Sequence, residues 1–289
     1  MTASEHISPV AIVTGGSRGF GRAVAAALLE RAWTVVTDAR RAADLDATAA
    51  ELASRRLITI PGDVSEPAHR AALVVAAIDA GPLRLLVNNA SRLGPSPQPR
   101  LGEYLAADLR AVYTTNVFAP LALIQAALPA LTDNGGGIVN ITSDAAVEPY
   151  EGWGGYGSSK AALDHLTAIL AVENPAIGVY AFDPGDMRTE MHQAAFPGED
   201  ISDRAEPESV VPALLRLLDT RPPSGRYRAQ DLLAVGADAS GPPTRRGGGA
   251  PACEGSPPCR SRTRISSAHP PPMPSSHRRH TVWPATASS

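Results

Sequence analysis

Between residues 10 and 219 the sequence alternates, unit after unit, between a short apolar run and a longer stretch with helical spacing. VAIVT (10–14) runs into glycine, and GFGRAVAAALLERA (19–32) then sets Val24, Leu28 and Leu29 on one helical face. The spacing predicts strands at 34–38, 57–63, 83–90, 136–143 and 177–184. It predicts helices at 44–55, 67–80 (with Pro67 at the first helical position), about 104–131, 156–172 and 207–219. Strands that are apolar throughout, separated by helices, call for a parallel sheet buried on both faces: an α/β, doubly wound architecture. Right-handed crossovers bring the carboxyl ends of all strands to one edge, where ligands bind. Gly15, Asp38, Asp63, Asn88, Ser143 and Gly185 all fall at such ends.

Composition marks off the end of the chain. Residues 240–289 hold seven arginines, no lysine and one acid, Glu254, a balance of +6 against −3 for the whole and so −9 for 1–239. They also hold ten of the 27 prolines and both cysteines. Without apolar periodicity this segment reads as a disordered tail after a folded domain of 1–239. Its composition is also that of a shifted reading frame of GC-rich DNA, which sequencing the gene would settle. Cys253, Cys259, His269, His277 and His280 fit no zinc spacing, so no metal is expected. The near-neutral charge argues against nucleic acid, and the absence of a basic-then-apolar leader or a long apolar run argues against secretion or a membrane. The domain reads as soluble and cytoplasmic.

TGGSRGFG (14–21) links the first strand to the first helix, where a helix N-terminus meets a dinucleotide pyrophosphate. Gly15 permits the tight turn, Gly19 a close approach of phosphate to backbone, and Gly21 close packing of helix on sheet. Ser17, Arg18 and Phe20 complete this cofactor-binding turn. Asp38, at the end of the second strand, is placed to accept the adenosine ribose hydroxyls and to repel a 2′-phosphate, which favours NAD over NADP. Arg18, Arg40 and Arg41 are either partners for such a phosphate or solvated loop charges. Asp63, beside Val64, either accepts from the adenine amino group or closes a turn.

TGGSRGFG, NNA (88–90), Asn116, Ser143, YGSSK (156–160) and DPG (183–185) follow one another as in the short-chain dehydrogenases/reductases. Over about 10–235 the chain resembles that family's compact, single-domain members. The resemblance implies a Rossmann fold and an NAD(P)-dependent oxidoreductase acting on a small alcohol or carbonyl. Its implied catalytic set is Asn116, Ser143, Tyr156 and Lys160. Asn116 would disturb its helix and anchor a water leading to Lys160, and Ser143 would bind the substrate oxygen. Lys160 would hold the nicotinamide ribose, Asn89 and Ala90 would lie near the adenosine ribose, and Pro184, Gly185, Met187 and Thr189 would touch the nicotinamide. A homodimer or homotetramer through helices 104–131 and 156–172 is also implied.

The chemistry gives a reason for the pairing of tyrosine with lysine. Hydride transfer at a carbon requires a proton at the oxygen, yet free tyrosine titrates near 10. Lys160 lies one turn on, and a cation about 4 Å away at an effective dielectric near 20 is worth roughly 4 kcal/mol, about three pH units. The rival reading is a dinucleotide-binding regulator or scaffold without turnover. Ser91 replaces the family's commoner glycine after NNA, a small change expected to be tolerated. Ser91–Leu101, Ala145–Gly155 and Met187–Ile201 would shape a partly apolar substrate pocket with Tyr150, Trp153, Met191, His192 and Phe196.

Overall fold

The computed structural model describes residues 8–237, so the tail expected over 240–289, with its cysteines and histidines, lies outside the described residues. Seven strands form one parallel sheet: β1 (Val10–Val13), β2 (Thr34–Ala39), β3 (Leu57–Pro61), β4 (Leu83–Asn88), β5 (Gly137–Ile141), β6 (Gly178–Asp183) and β7 (Gly225–Arg228). Their order is β3-β2-β1-β4-β5-β6-β7, which reverses direction between β1 and β4. The helices between them are α1 (Gly19–Glu30), α2 (Ala42–Leu52), α3 (Pro67–Ala80), α4 (Ala106–Tyr113), α5 (Ala119–Asp133), α6 (Gly154–Glu173), α7 (Glu190–Ala195), α8 (Pro207–Thr220) and α9 (Ala229–Ala237).

Alternation along each strand feeds two cores. Ala11 and Val13 face α1 and α8 with Val24, Leu28, Leu214 and Leu217. Val10 and Ile12 face α3 and α5 with Leu73, Ala77, Leu123 and Ile124. In β4 the alternation slips: Val10 pairs with Leu83 and Ala11 with Leu85, leaving Arg84 as an irregularity. Leu83 and Leu85, two residues apart, thereby reach opposite cores.

The helix expected over 104–131 is interrupted. Thr114–Phe118 adopts a π turn between α4 and α5, and Asn116 sits inside it. Ala106–Asp133 is long and apolar enough by composition to cross a membrane, a stretch the sequence reading passed over. Here Leu123, Ile124, Ala127 and Leu131 are packed into the second core. Three short elements were also not expected: α7, β7 and α9. Each offers too few apolar residues in register to show a period, and β7 reads Gly-Arg-Tyr-Arg.

A polar ladder crosses the sheet behind its ligand edge. Asn88 Nδ2 donates to Asn140 Oδ1 at 2.8 Å, and Asn140 Nδ2 donates to Thr167 Oγ1 of α6 at 2.8 Å, all of it buried. Asn88 therefore fixes strand to strand rather than facing ligand. Asn140→Ala leaves the Asn88 amide buried without its acceptor, at an expected cost of about 1–3 kcal/mol in denaturant unfolding. An unfolding free energy unchanged within about 0.5 kcal/mol would show that the ladder contributes nothing.

Candidate active site

A cleft of about 1210 Å³ opens along the carboxyl edge of the sheet, at the reversal between β1 and β4 where this topology binds ligands. Every cofactor-binding or catalytic residue expected from the sequence lines it except Gly21 and Asn116. Gly15 and Gly19 both take left-handed backbone conformations, with φ of +70° and +54°. Gly21 lies beneath the turn: a Cβ there would fall 2.3 Å from Asn89 Nδ2 and 2.4 Å from the Gly15 carbonyl. Asn89 explains that closeness, since its Nδ2 donates to the carbonyls of Thr14 and Gly15 at 2.8 and 3.2 Å. The Thr14 hydroxyl in turn accepts from the amides of Asn89 and Ala90, both at 3.0 Å. These contacts weld the ends of β1 and β4 under the turn.

The turn suits a dinucleotide. No side chain caps the start of α1 and no acid sits in its first turn, so its free amides face the cleft with their partial positive charge. Phe20 contributes main chain only, because its ring is buried and stacks on Phe182 with centroids 6.0 Å apart. Arg18 pairs with Glu190 of α7 across the mouth. Thr189 caps α7 by accepting from the His192 amide at 3.2 Å. Gly185, at φ +74°, turns the chain after β6, and Met187 bridges to Ala205.

Asp38 lies inside β2 at the cleft wall, only 2 % exposed, with Oδ1 accepting the Gly15 amide at 2.7 Å and Oδ2 paired with His69 Nε2 of α3 at 2.9 Å. One oxygen thus holds the glycine turn and the other ties β2 to α3. The strand ends one residue later at Ala39, and Arg40 and Arg41 follow at the cleft. Asp63 accepts the Ser65 amide at 2.8 Å, as a turn residue does, while still lining the cleft beside Val64. Burial raises its pKa, but the hydrogen bonds from Ser65 and the charges of Arg40 and Arg92 outweigh that and leave it below the usual value.

At the other end of the cleft stand Ser143, Tyr156 and Lys160. Ser143 ends the strand segment as β5 gives way to a 3-10 turn, whose Ala145 amide it accepts at 3.2 Å, and its hydroxyl donates to Asp144 Oδ1 at 2.8 Å. Gly157 lets α6 press on that turn, because a Cβ there would lie 2.7 Å from the Ala145 carbonyl. Tyr156 is buried against Trp153, whose ring centroid lies 5.8 Å away. Lys160 is 2 % exposed, and its Nζ donates to the Ile141 carbonyl at 2.7 Å and sits 5.5 Å from the centre of the Tyr156 ring.

At the phenol, burial outweighs the neighbouring charges. Burial pushes Tyr156 well above its ordinary value; the Ser91 hydroxyl pulls it down, Asp183 and Asp144 push it up, and Ser143 pulls it down. Lys160 itself is pushed down by burial to about 8, against the opposing charge of Asp164. Asn116 disturbs its helix as expected, sitting in the π turn, and its side chain is fully engaged. Its Oδ1 accepts from Ser91 Oγ (3.2 Å) and the Arg92 amide (2.7 Å), and its Nδ2 donates to the Arg92 carbonyl and Ser159 Oγ (both 2.9 Å). An amide side chain so engaged has no donor or acceptor left to anchor a water. It braces the loop after β4 against α6.

His69, Asp164 and Arg226 were absent from the residues expected to matter. Asp164 had a signal, since it continues the four-residue step from Tyr156 to Lys160. A stronger one was also overlooked. The chain holds 26 basic residues, and Lys160 is its one lysine among 25 arginines. Lys160 is thus the one position at which this chain carries an amine rather than a guanidinium.

Comparison with known proteins agrees with this geometry. The short chain dehydrogenase family profile matches residues 9–200. An uncharacterised oxidoreductase of Mycobacterium tuberculosis is 34% identical over 216 residues, covering 73% of this chain and 80% of its own. The sepiapterin reductase of Bos taurus is 33% identical over 199 residues, covering 64% of this chain and 74% of its own. Among solved structures, a short chain dehydrogenase of Escherichia coli complexed with NADPH superposes with a TM-score of 0.72 at 27% identity, covering 79% of this chain and 100% of that one. One from Shigella flexneri complexed with NADP gives 0.72 at 28%, covering 77% and 97%. The chain belongs to the short-chain dehydrogenase/reductase family and is an NAD(P)-dependent oxidoreductase.

Proposed function

We propose that the protein interconverts a small carbonyl compound and its alcohol, with NADP(H) as the preferred cofactor and Tyr156 as the group that moves the proton. The observation that carries this reading is the sole lysine, buried beside a buried tyrosine and a serine at one end of a dinucleotide-shaped cleft. A fold retained only to bind dinucleotide could use that lysine for the ribose, but it gives no reason for the tyrosine and serine beside it.

The cofactor, when bound, supplies or takes the hydride at the substrate carbon. The chain's own residues handle the oxygen. Ser143 turns its hydroxyl from Asp144 to the substrate oxygen and stabilises the charge that builds there. In reduction Tyr156 gives its proton to that oxygen; in oxidation it takes the proton back. A phenol raised by burial is well suited to hold its proton until the oxygen becomes basic. Lys160 stands by as the adjacent cation that favours the phenolate once the proton has left. Leu93, Trp153, Ala194 and Ala195 form the apolar wall of this end, which favours a substrate with an apolar flank beside its carbonyl. Tyr156→Phe should leave cofactor binding within a few-fold while turnover falls about a hundred- to ten-thousand-fold. Turnover that survives the change, measured on any carbonyl the wild type reduces, would rule out this role.

The preference for NADP(H) rests on charge. Asp38, the residue that argued for NAD, is withdrawn into the fold by the Gly15 amide and His69, while Arg40 and Arg41 line the adenosine end. Solved relatives from Escherichia coli and Shigella flexneri carry NADPH and NADP. Guanidinium groups at that end meet a 2′-phosphate as charge-assisted donors. Arg40→Ala should weaken NADPH about tenfold or more and leave NADH nearly unchanged. Equal loss for the two cofactors, by fluorescence titration, would count against the assignment.

Assembly is part of the same reading. Leu105 and Phe118 on the α4–α5 pair and Ile169 and Val172 on α6 are exposed apolar side chains, which favours a homo-oligomer through those helices. Light scattering should give at least twice the chain mass; a monomer at micromolar concentration would exclude it.

A further inference from the structure

Beneath Lys160 lies an ion-pair cluster that neither the family motifs nor the proton-transfer scheme uses. Arg226, the second residue of the edge strand β7, reaches inward between β6 and α6. Its Nε pairs with Asp164 Oδ2 at 3.1 Å, and one terminal nitrogen donates to Asp183 Oδ2 at 2.8 Å and to the main-chain carbonyl of Ser143 at 3.0 Å. One guanidinium therefore holds three things: the backbone of the serine expected to bind substrate oxygen, the end of β6 that leads into Pro184–Gly185, and α6 one turn beyond Lys160. Asp164 is mostly buried, its side chain 15% exposed, and its Oδ1 lacks a hydrogen-bond partner. The Thr142 hydroxyl, also buried without a partner, lies beside it but stops short of a formed bond. A buried carboxylate left half satisfied costs stability unless a second cation makes use of its charge. Lys160, four residues earlier on the same helix face, is that cation.

We propose that Asp164 and Arg226 are positioning residues for the catalytic centre: Asp164 is the counter-charge that keeps the buried Lys160 amine protonated, and Arg226 pairs with Asp164 while fixing the Ser143 main chain. The neighbouring groups bear this out. The charged and titratable side chains at this end of the cleft are Tyr156 and Asp164 on α6, Asp183 on β6, Asp144 in the turn after β5 and Arg226 on β7. Of these, Asp164 is the one that raises Lys160 against the effect of burial. Asp164 is raised by its own burial, and Thr142, Arg226 and Lys160 draw it down again. The sign follows. Neutralising Asp164 removes an anion beside the ammonium, so the amine loses its proton at lower pH.

This rests on the reading of Lys160 as a catalytic group, but it can be tested without turnover. Because Lys160 is the one lysine of the chain, protein grown on ε-¹³C-lysine shows a single side chain, and its titration midpoint is read directly by NMR on the full chain. Asp164→Asn, nearly isosteric, should lower that midpoint by about half a pH unit or more. Arg226→Met takes a cation out of the cluster and leaves Asp164 to the ammonium alone, so the midpoint should move the other way, upward. An Asp164→Asn midpoint within about 0.2 pH units of wild type overturns the proposal, since a purely structural pair would leave the amine alone. Should Arg226→Met fail to fold by circular dichroism, the Asp164→Asn result decides. A chain without turnover whose lysine midpoint still follows Asp164 would refute the catalytic reading and leave this one standing.

Discussion

Lys160 donates to the Ile141 carbonyl at 2.7 Å from a position 2 % exposed, and much of the architecture around it follows from putting an amine there. Removing an ammonium from water is costly enough that the group gives up its proton instead unless dipoles and counter-charges compensate. Here the compensation is a strand-end carbonyl on β5, the carboxylate of Asp164 one turn along α6 and the face of the Tyr156 ring. Asp164 and Tyr156 share α6 with the amine, and Gly157 lets that helix lie against the turn after β5. An arginine there would never deprotonate. One lysine in a chain otherwise built with arginine is thus a statement about chemistry rather than charge.

At the opposite end of the cleft the governing constraint is the two-residue period of a strand. Asp38 lies inside β2 and Ala39 ends it, so the acid faces His69 and the Gly15 amide while the next residues carry guanidinium groups to the opening. One of its oxygens fixes the glycine turn. Thr14, Gly15 and Asn89 are tied into the same knot, and Gly21 must lack a side chain because that knot lies against it.

Most of the fold was legible from residue order alone. Six of the seven strands fall on the short apolar runs and five of the helices follow the expected ranges closely, α3 to the residue. Register was less legible: a list of strand ends does not say which way a side chain turns, and the Gly15 and His69 partners of Asp38 could not be read from it. The π turn at Asn116 could be expected only from family resemblance, since local sequence carries no signal for an extra residue in a helical turn. β7 escaped notice because four residues with two arginines look like surface, and so Arg226 escaped with it. The Tyr156–Lys160 spacing correctly placed the pair on one helix face. It could not show that burial governs both groups more strongly than their mutual charge.

The account turns on whether the buried amine itself, rather than a positive charge at its place, is what the reaction needs. Substituting Lys160→Arg keeps the charge and alters only its size, hydration and capacity to titrate. Steady-state reduction of a carbonyl substrate by this variant, at a pH where wild type is fully active and with folding checked by circular dichroism, should fall by about a hundredfold or more. A variant that turns over at close to the wild-type rate would contradict it.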